Sequence, residues 1–241
     1  MSSVKSEEEI EVASIGYKIA HTLNLVLFTL MAITGSMLLF PALMSWLSYA
    51  VGVPLAAAMG VSNPVTIGEE LARTSHRFLG EIYGLFLIVY AIYLLAFRRI
   101  RMFDALKKPF SKQMREASAL LRHYTTGEPL PDDVANELER HNVLVAYMTI
   151  LLVIGLVLLS ISGVFLAYSN ALGLTIDQYR IFLLLHDIGF YLSLIFVFLH
   201  LFASLHPANR PLLVAMFGYG KVPVEWAKKN MAKYLSRVQK T

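Results

Sequence analysis

The sequence predicts an all-α membrane protein: a four-transmembrane-helix bundle with both termini in the cytoplasm. Three observations carry this. Of 241 residues, 56% are hydrophobic and only 16% are charged, too little charge for a soluble domain of this length. The apolar residues fall in long blocks, four of which exceed the roughly 20 residues that a helix needs to cross a bilayer. Lysine and arginine cluster on alternate connections, which orients the bundle.

The first span covers about 15–40 and stops at Pro41. The stretch between it and the next span, Met44 to Gly60, is apolar too. Pro41 and Pro54 interrupt it and it would have to turn straight back, so it reads as a short interfacial helix with Trp46 and Tyr49 at headgroup level. The second span, about 71–97, opens after a Thr66-to-Glu69 capping-box pattern and ends at Arg98, Arg99 and Arg101. The third covers about 143–168. The fourth, about 179–205, follows a second capping box from Thr175 to Gln178 and stops before Pro207. The whole chain, 1–241, reads as one transmembrane domain with a cytoplasmic loop at 98–142 and a cytoplasmic tail at 206–241.

The N-terminal tail carries two basic residues (Lys5 and Lys18), the 98–142 loop nine, and the C-terminal tail seven; the opposite side has only Arg73, Arg77 and Arg180. The positive-inside rule places the rich side in the cytoplasm, and a fifth span would break that asymmetry. The net charge of +4 is therefore explained by topology and not by nucleic acid. The acidic start, Glu7 to Glu9, lacks the basic region of a cleavable signal peptide. Cysteine is absent, which excludes disulfides, cysteine-ligated iron–sulfur clusters and thiolate zinc sites within the chain.

Four of seven histidines lie in or near the spans: His21, His76, His186 and His200. His186 and His200 are 14 residues apart on one helix, about 40° short of four turns and roughly 21 Å along the axis. The alternating direction of the spans puts His21 and His200 at the inner level, His76 and His186 at the outer. Two imidazoles at each of two levels is the requirement for two bis-histidine b-type haems, one axial ligand on each side of each iron. Gly35, Gly80, Gly163 and Gly189, with Ser160 and Ser162, supply small residues where a flat macrocycle needs room; small residues also serve plain helix contacts. Glu81 and Asp187 fall at the outer level, where pairing with Arg73 or Arg77 and proton relay both remain open.

These residues resemble the cytochrome b (gamma) subunit of membrane-bound formate dehydrogenase and the related cytochrome b subunits of nickel–iron hydrogenases. The features in order are His21, Thr34-Gly35 and Phe40-Pro41; Trp46-Leu47 and Gly52-Val53-Pro54; the run from Arg73 through His76 to Gly80; Ser162-Gly163; the 14-residue histidine spacing; and a tail from Gly220 through Trp226 to Lys229. The resemblance implies a subunit that passes electrons from an outer-side iron–sulfur subunit, served by a catalytic subunit, through the outer haem (His76, His186) and the inner haem (His21, His200) to menaquinone or ubiquinone. The setting it implies is the cytoplasmic membrane of a prokaryote, with higher oligomers possible. It assigns Asn142, 21 residues before Gly163, to the quinone site; Leu144 stands where the family has a glycine. His141 is an added candidate for proton delivery, beside its reading as a solvated loop-end histidine. A hydrogenase partner, a quinol-fed sulfur-compound reductase, a stand-alone cytochrome, a histidine-lined transporter and a haem-free anchor are the rival readings.

Overall fold

The computed structural model describes residues 8–97 and 101–240. Lys5, Glu7, Arg98 and Arg99, used above for charge and for the end of the second span, lie outside the described residues. In chain order the elements are β1 (Glu9–Glu11), α1 (Ile15–Leu39), α2 (Pro41–Met59), α3 (Pro64–Phe97), α4 (Phe110–Thr126), α5 (Asp132–Ala135), α6 (Val143–Ala167), α7 (Ile176–Leu205), α8 (Arg210–Phe217), β2 (Lys221–Pro223), α9 (Val224–Asn230) and α10 (Ala232–Val238). The four expected spans correspond to α1, α3, α6 and α7. Their flanks expose large apolar side chains throughout, including Leu85, Ile88, Val157 and Leu184, as lipid-facing helices do.

Among the described residues five helices, not four, are long and apolar enough to cross a membrane, because α2 is one continuous 19-residue helix. The prolines expected to interrupt it do not. Pro41 sits in the first turn, where its missing N–H costs nothing, and Pro54 forfeits a single backbone bond near the end. α3 is longer than expected for a related reason. Asn63 accepts from the backbone N–H of Thr66 and Pro64 opens the helix, so the start lies before the expected Thr66 box. The box at Thr175 does form, with Thr175 and Gln178 each accepting the other's backbone N–H.

The chain divides into two compact units. One comprises 19–97 and 158–187. In it α2 lies antiparallel on the first turns of α3 along a seam of small residues: Ser48, Gly52 and Ala56 on one side, Gly68 and Ala72 on the other. The approach is too close for any side chain at its centre. A Cβ on Gly52 would stand 1.9 Å from the Pro64 carbonyl oxygen, and one on Gly68 1.9 Å from that of Ser48. α1 is tied to α3 by Tyr83, whose hydroxyl donates to Asn24 Oδ1 at 2.8 Å.

The other unit comprises 1–18, 98–157 and 188–241; here the segments expected as loop and tails are folded together. β1 pairs antiparallel with β2, and the backbone N–H groups of Val12 and Ala13 donate to Gly220 O. Gly220 has φ +81°, and a Cβ there would lie 2.1 Å from Ala13 O, so the crossing demands glycine. A small core of Val12, Val222, Val224, Ala227, Met231 and Leu235 forms beneath the strands. The 98–142 segment joins the tail through Lys233 N–H donating to Leu138 O and through the Arg237–Glu139 ion pair. In this unit α6 and α7 meet where Gly155 faces Ser193 and the Gly189 carbonyl.

Candidate functional site

His76 on α3 and His186 on α7 come together as the sequence predicts. Their ring centres are 6.1 Å apart and their planes cross at 77°. Each imidazole is held by the same device from a neighbouring helix, a hydroxyl residue followed by glycine. On α1, Thr34 Oγ1 is 2.9 Å from His76 Nδ1, and a Cβ on Gly35 would lie 3.1 Å from His76 Cε1. On α6, Ser162 Oγ is 3.0 Å from His186 Nδ1, and a Cβ on Gly163 would lie 3.4 Å from His186 Cε1. These two glycines make room for the imidazoles themselves. Gly80 meets the Met31 side chain and Gly189 serves the α6–α7 contact.

The hydroxyls also settle which ring nitrogen bears hydrogen. Thr34 Oγ1 donates to Leu30 O at 2.8 Å, and Ser162 Oγ donates to Leu158 O. A hydroxyl has one proton to give, so toward the imidazole each oxygen accepts. The carbonyls of Met31 and Leu159, which can only accept, lie within reach of the same two hydroxyls. Nδ1 is therefore the N–H in both histidines, and Nε2 keeps its lone pair for a metal.

An iron between two imidazoles, with metal–nitrogen bonds of about 2.0–2.1 Å and each ring centre about 1.1 Å behind its nitrogen, separates the ring centres by roughly 6.3 Å. The observed spacing fits a haem iron that His76 and His186 would hold between them. Among the described residues no three His, Cys, Asp or Glu side chains group to hold a bare metal ion.

The other candidates are placed as follows. His21 lies in α1 within the first unit; His200 lies in α7 within the second, stacked on Phe196 at 5.3 Å with Ser204 Oγ 3.5 Å from Nε2. Asn142 caps α6, its Oδ1 accepting from Val145 N–H at 3.1 Å. Beside it, burial and the Arg140 guanidinium push the His141 imidazole down to about 4. Glu81 takes its bond from Tyr168, whose hydroxyl donates at 2.8 Å. Arg73, considered above as an acid's partner, pairs with Glu70 instead.

Sequence reasoning missed Thr34 and Ser162 as residues that hold the two imidazoles. The signal was the hydroxyl–glycine dipeptide recurring on two helices. Residues 12–219 match the family model described as prokaryotic cytochrome b561. No curated protein matches the chain.

Proposed function

The chain belongs to the prokaryotic cytochrome b561 family, whose members are cytochromes with b-type haem, and we propose that it is the membrane-anchoring di-haem cytochrome b subunit of a respiratory oxidoreductase complex. The observation that carries this is the outer histidine pair, spaced for one iron and oriented by hydroxyls with Nε2 available. In this reading His76 and His186 hold the outer haem, and His21 and His200 the inner one. When bound, the haems pass single electrons between the two levels. The protein sets their position and potential.

An iron–sulfur subunit and a catalytic subunit on the outer side supply the electrons, in a complex of the formate dehydrogenase type. Menaquinone or ubiquinone takes them near the cytoplasmic face. Because Asn142 Oδ1 is committed to the helix cap, its amide N–H is the group that donates to a quinone carbonyl. His141, neutral at pH 7, accepts protons there without storing one.

Parity supports four crossings with cytoplasmic termini. The N-terminal strand bonds the tail, and the tail bonds the 98–142 segment, so all three share one side of the membrane. An even number of crossings must then separate residue 12 from residue 101. α1 and α3 supply two, and α2 lies on the outer face against the start of α3. At 34 residues α3 is about 51 Å long, against a hydrocarbon core of about 30 Å, so it has turns to spare for that contact. The basic loop and tail then face the cytoplasm.

The test is a reduced-minus-oxidised visible spectrum of the purified chain with a haem-to-protein ratio. Two b-type haems per chain are expected, with His186→Ala removing one. A folded, iron-replete preparation without haem overturns the reading. The subunits that co-purify separate a formate dehydrogenase from a hydrogenase or a sulfur-compound reductase.

A further inference from the structure

We infer that Thr34 and Ser162 are positioning residues: each fixes the Nδ1–H tautomer and the ring plane of one outer histidine, and together they lower the redox potential of the outer haem. The inference rests on the proposed bis-histidine site but concerns groups that do not touch the haem.

The argument is the duplication of one device. In each half a hydroxyl spends its proton on the carbonyl four residues earlier in its own helix (Leu30, Leu158) and turns its lone pairs to Nδ1 of a histidine on another helix. The carbonyl three residues earlier (Met31, Leu159) lies within reach of the same hydroxyl. Each imidazole thus faces a hydroxyl whose proton is spent on its own helix and is held as an Nδ1 donor. The next residue is glycine in both cases, and its missing Cβ lets the ring edge approach the backbone. α1 and α6 are otherwise dissimilar in sequence, so the repetition points to a demand of the site.

The chemical consequence follows from ligand basicity. A ligating imidazole that donates from its distal N–H gains electron density at the metal-bound nitrogen. This favours ferric over ferrous iron and lowers the potential. The device also locks the planes at 77°. Near-perpendicular axial imidazoles give a ferric low-spin electron paramagnetic resonance signal of high anisotropy, whereas parallel ones give an ordinary rhombic signal.

The test uses the full-length chain with its haems, comparing Thr34→Val, Ser162→Ala and the conservative Thr34→Ser and Ser162→Thr. Redox titration and electron paramagnetic resonance are read on each. Loss of either hydroxyl should weaken the preference for ferric iron about tenfold, which for one electron is about 59 mV upward. The outer haem alone should move, its anisotropic signal should broaden toward the rhombic form, and the hydroxyl-retaining variants should keep the original values. Loss of the outer haem with retention of the inner one also supports the inference. Unchanged potential and signal in both Val and Ala variants overturn it, as does a shift shared equally by both haems. If one variant fails to accumulate, the other reads its own imidazole independently. A wild-type chain without haem is a different result, and rejects the proposed function itself.

Discussion

Glu116 shows at the level of one residue how the 98–142 segment reaches the start of α6. Its side chain is 4% exposed; Oε2 accepts from Lys108, itself 8% exposed, at 2.6 Å, and Oε1 accepts the backbone N–H of Val143 at 2.9 Å. One turn earlier on α4, Gln113 Oε1 accepts from the Tyr147 hydroxyl. The pair therefore fixes where α6 starts, and with it Asn142. Glu116→Gln would keep the acceptor for Val143 but take from Lys108 its buried counter-charge, leaving the ammonium the Glu137 carbonyl at 2.8 Å and a carboxylate 4.0 Å away. Breaking a buried pair from one side costs about 3–5 kcal/mol, whereas replacing both partners with apolar groups is often close to neutral. Equilibrium denaturation in detergent should show a loss toward the lower end of that range for Glu116→Gln and a larger one for Glu116→Leu, which also leaves the buried Val143 N–H without its acceptor. His141 makes a second prediction. Its imidazole is held down to about 4 by burial and Arg140, against about 6.5 in the unfolded chain. Between these values the unfolded state binds more protons, so stability is complete above pH 6.5 and falls as pH drops toward 4. His141→Gln should flatten that part of the stability-versus-pH curve; an unchanged slope would reject the assignment.

At the scale of elements, the α2–α3 seam is the tightest helix contact in its unit, and nothing in it is held by polar bonds. Ser48, Gly52, Ala56, Gly68 and Ala72 are small so that two backbones can touch. Gly68→Leu must part the helices, a forced overpacking that costs about 1–3 kcal/mol or more. The chain has no cysteine, so the effect can be read with a single probe. Ser48→Cys, at a position now fully buried, should resist a thiol reagent in the parent and react in the Gly68→Leu background. Equal reactivity in both would show that the seam does not depend on Gly68. The elements also show what the sequence could and could not disclose. Four of the five long apolar helices and the meeting of His76 with His186 were legible because hydrophobic length and helical periodicity act locally. The unity of α2 was not, because a proline near a helix end looks in sequence like a break. The start of α3 was obscured by reading Thr66 as the cap while Asn63-Pro64 stood just before it. Three-residue strands such as β1 and β2 have no period to detect. Thr34 and Ser162 look like ordinary small residues until a histidine from another helix is placed beside them.

For the whole molecule, the decisive feature is that the short strands close a circuit. β1 belongs to the segment before α1 and β2 to the segment after α7, while Lys233 N–H to Leu138 O and Arg237 to Glu139 bind the tail to the connection between α3 and α6. A crossing by α2 would put the N-terminal strand and that connection on opposite faces of the membrane and tear the folded unit apart. The loss would include the buried core of Val12, Val222 and Leu235, which apolar burial holds at ~1.5–3 kcal/mol for each large side chain. No favourable insertion of α2 is needed to offset that loss, because its small-residue face is already occupied by α3. Single cysteines in this cysteine-free chain test the circuit directly. Ser62→Cys in the α2–α3 connection and Asn170→Cys in the α6–α7 connection should label with a membrane-impermeant maleimide from the same side, and Glu9→Cys on β1 and Ser118→Cys on α4 only from the other. If Ser62 labels from the same side as Glu9, α2 crosses the bilayer, and the pairing of β1 with β2 cannot form in the membrane. The level assigned to each histidine pair would then fail with it, since that assignment depends on α1 and α3 running in opposite directions through four crossings.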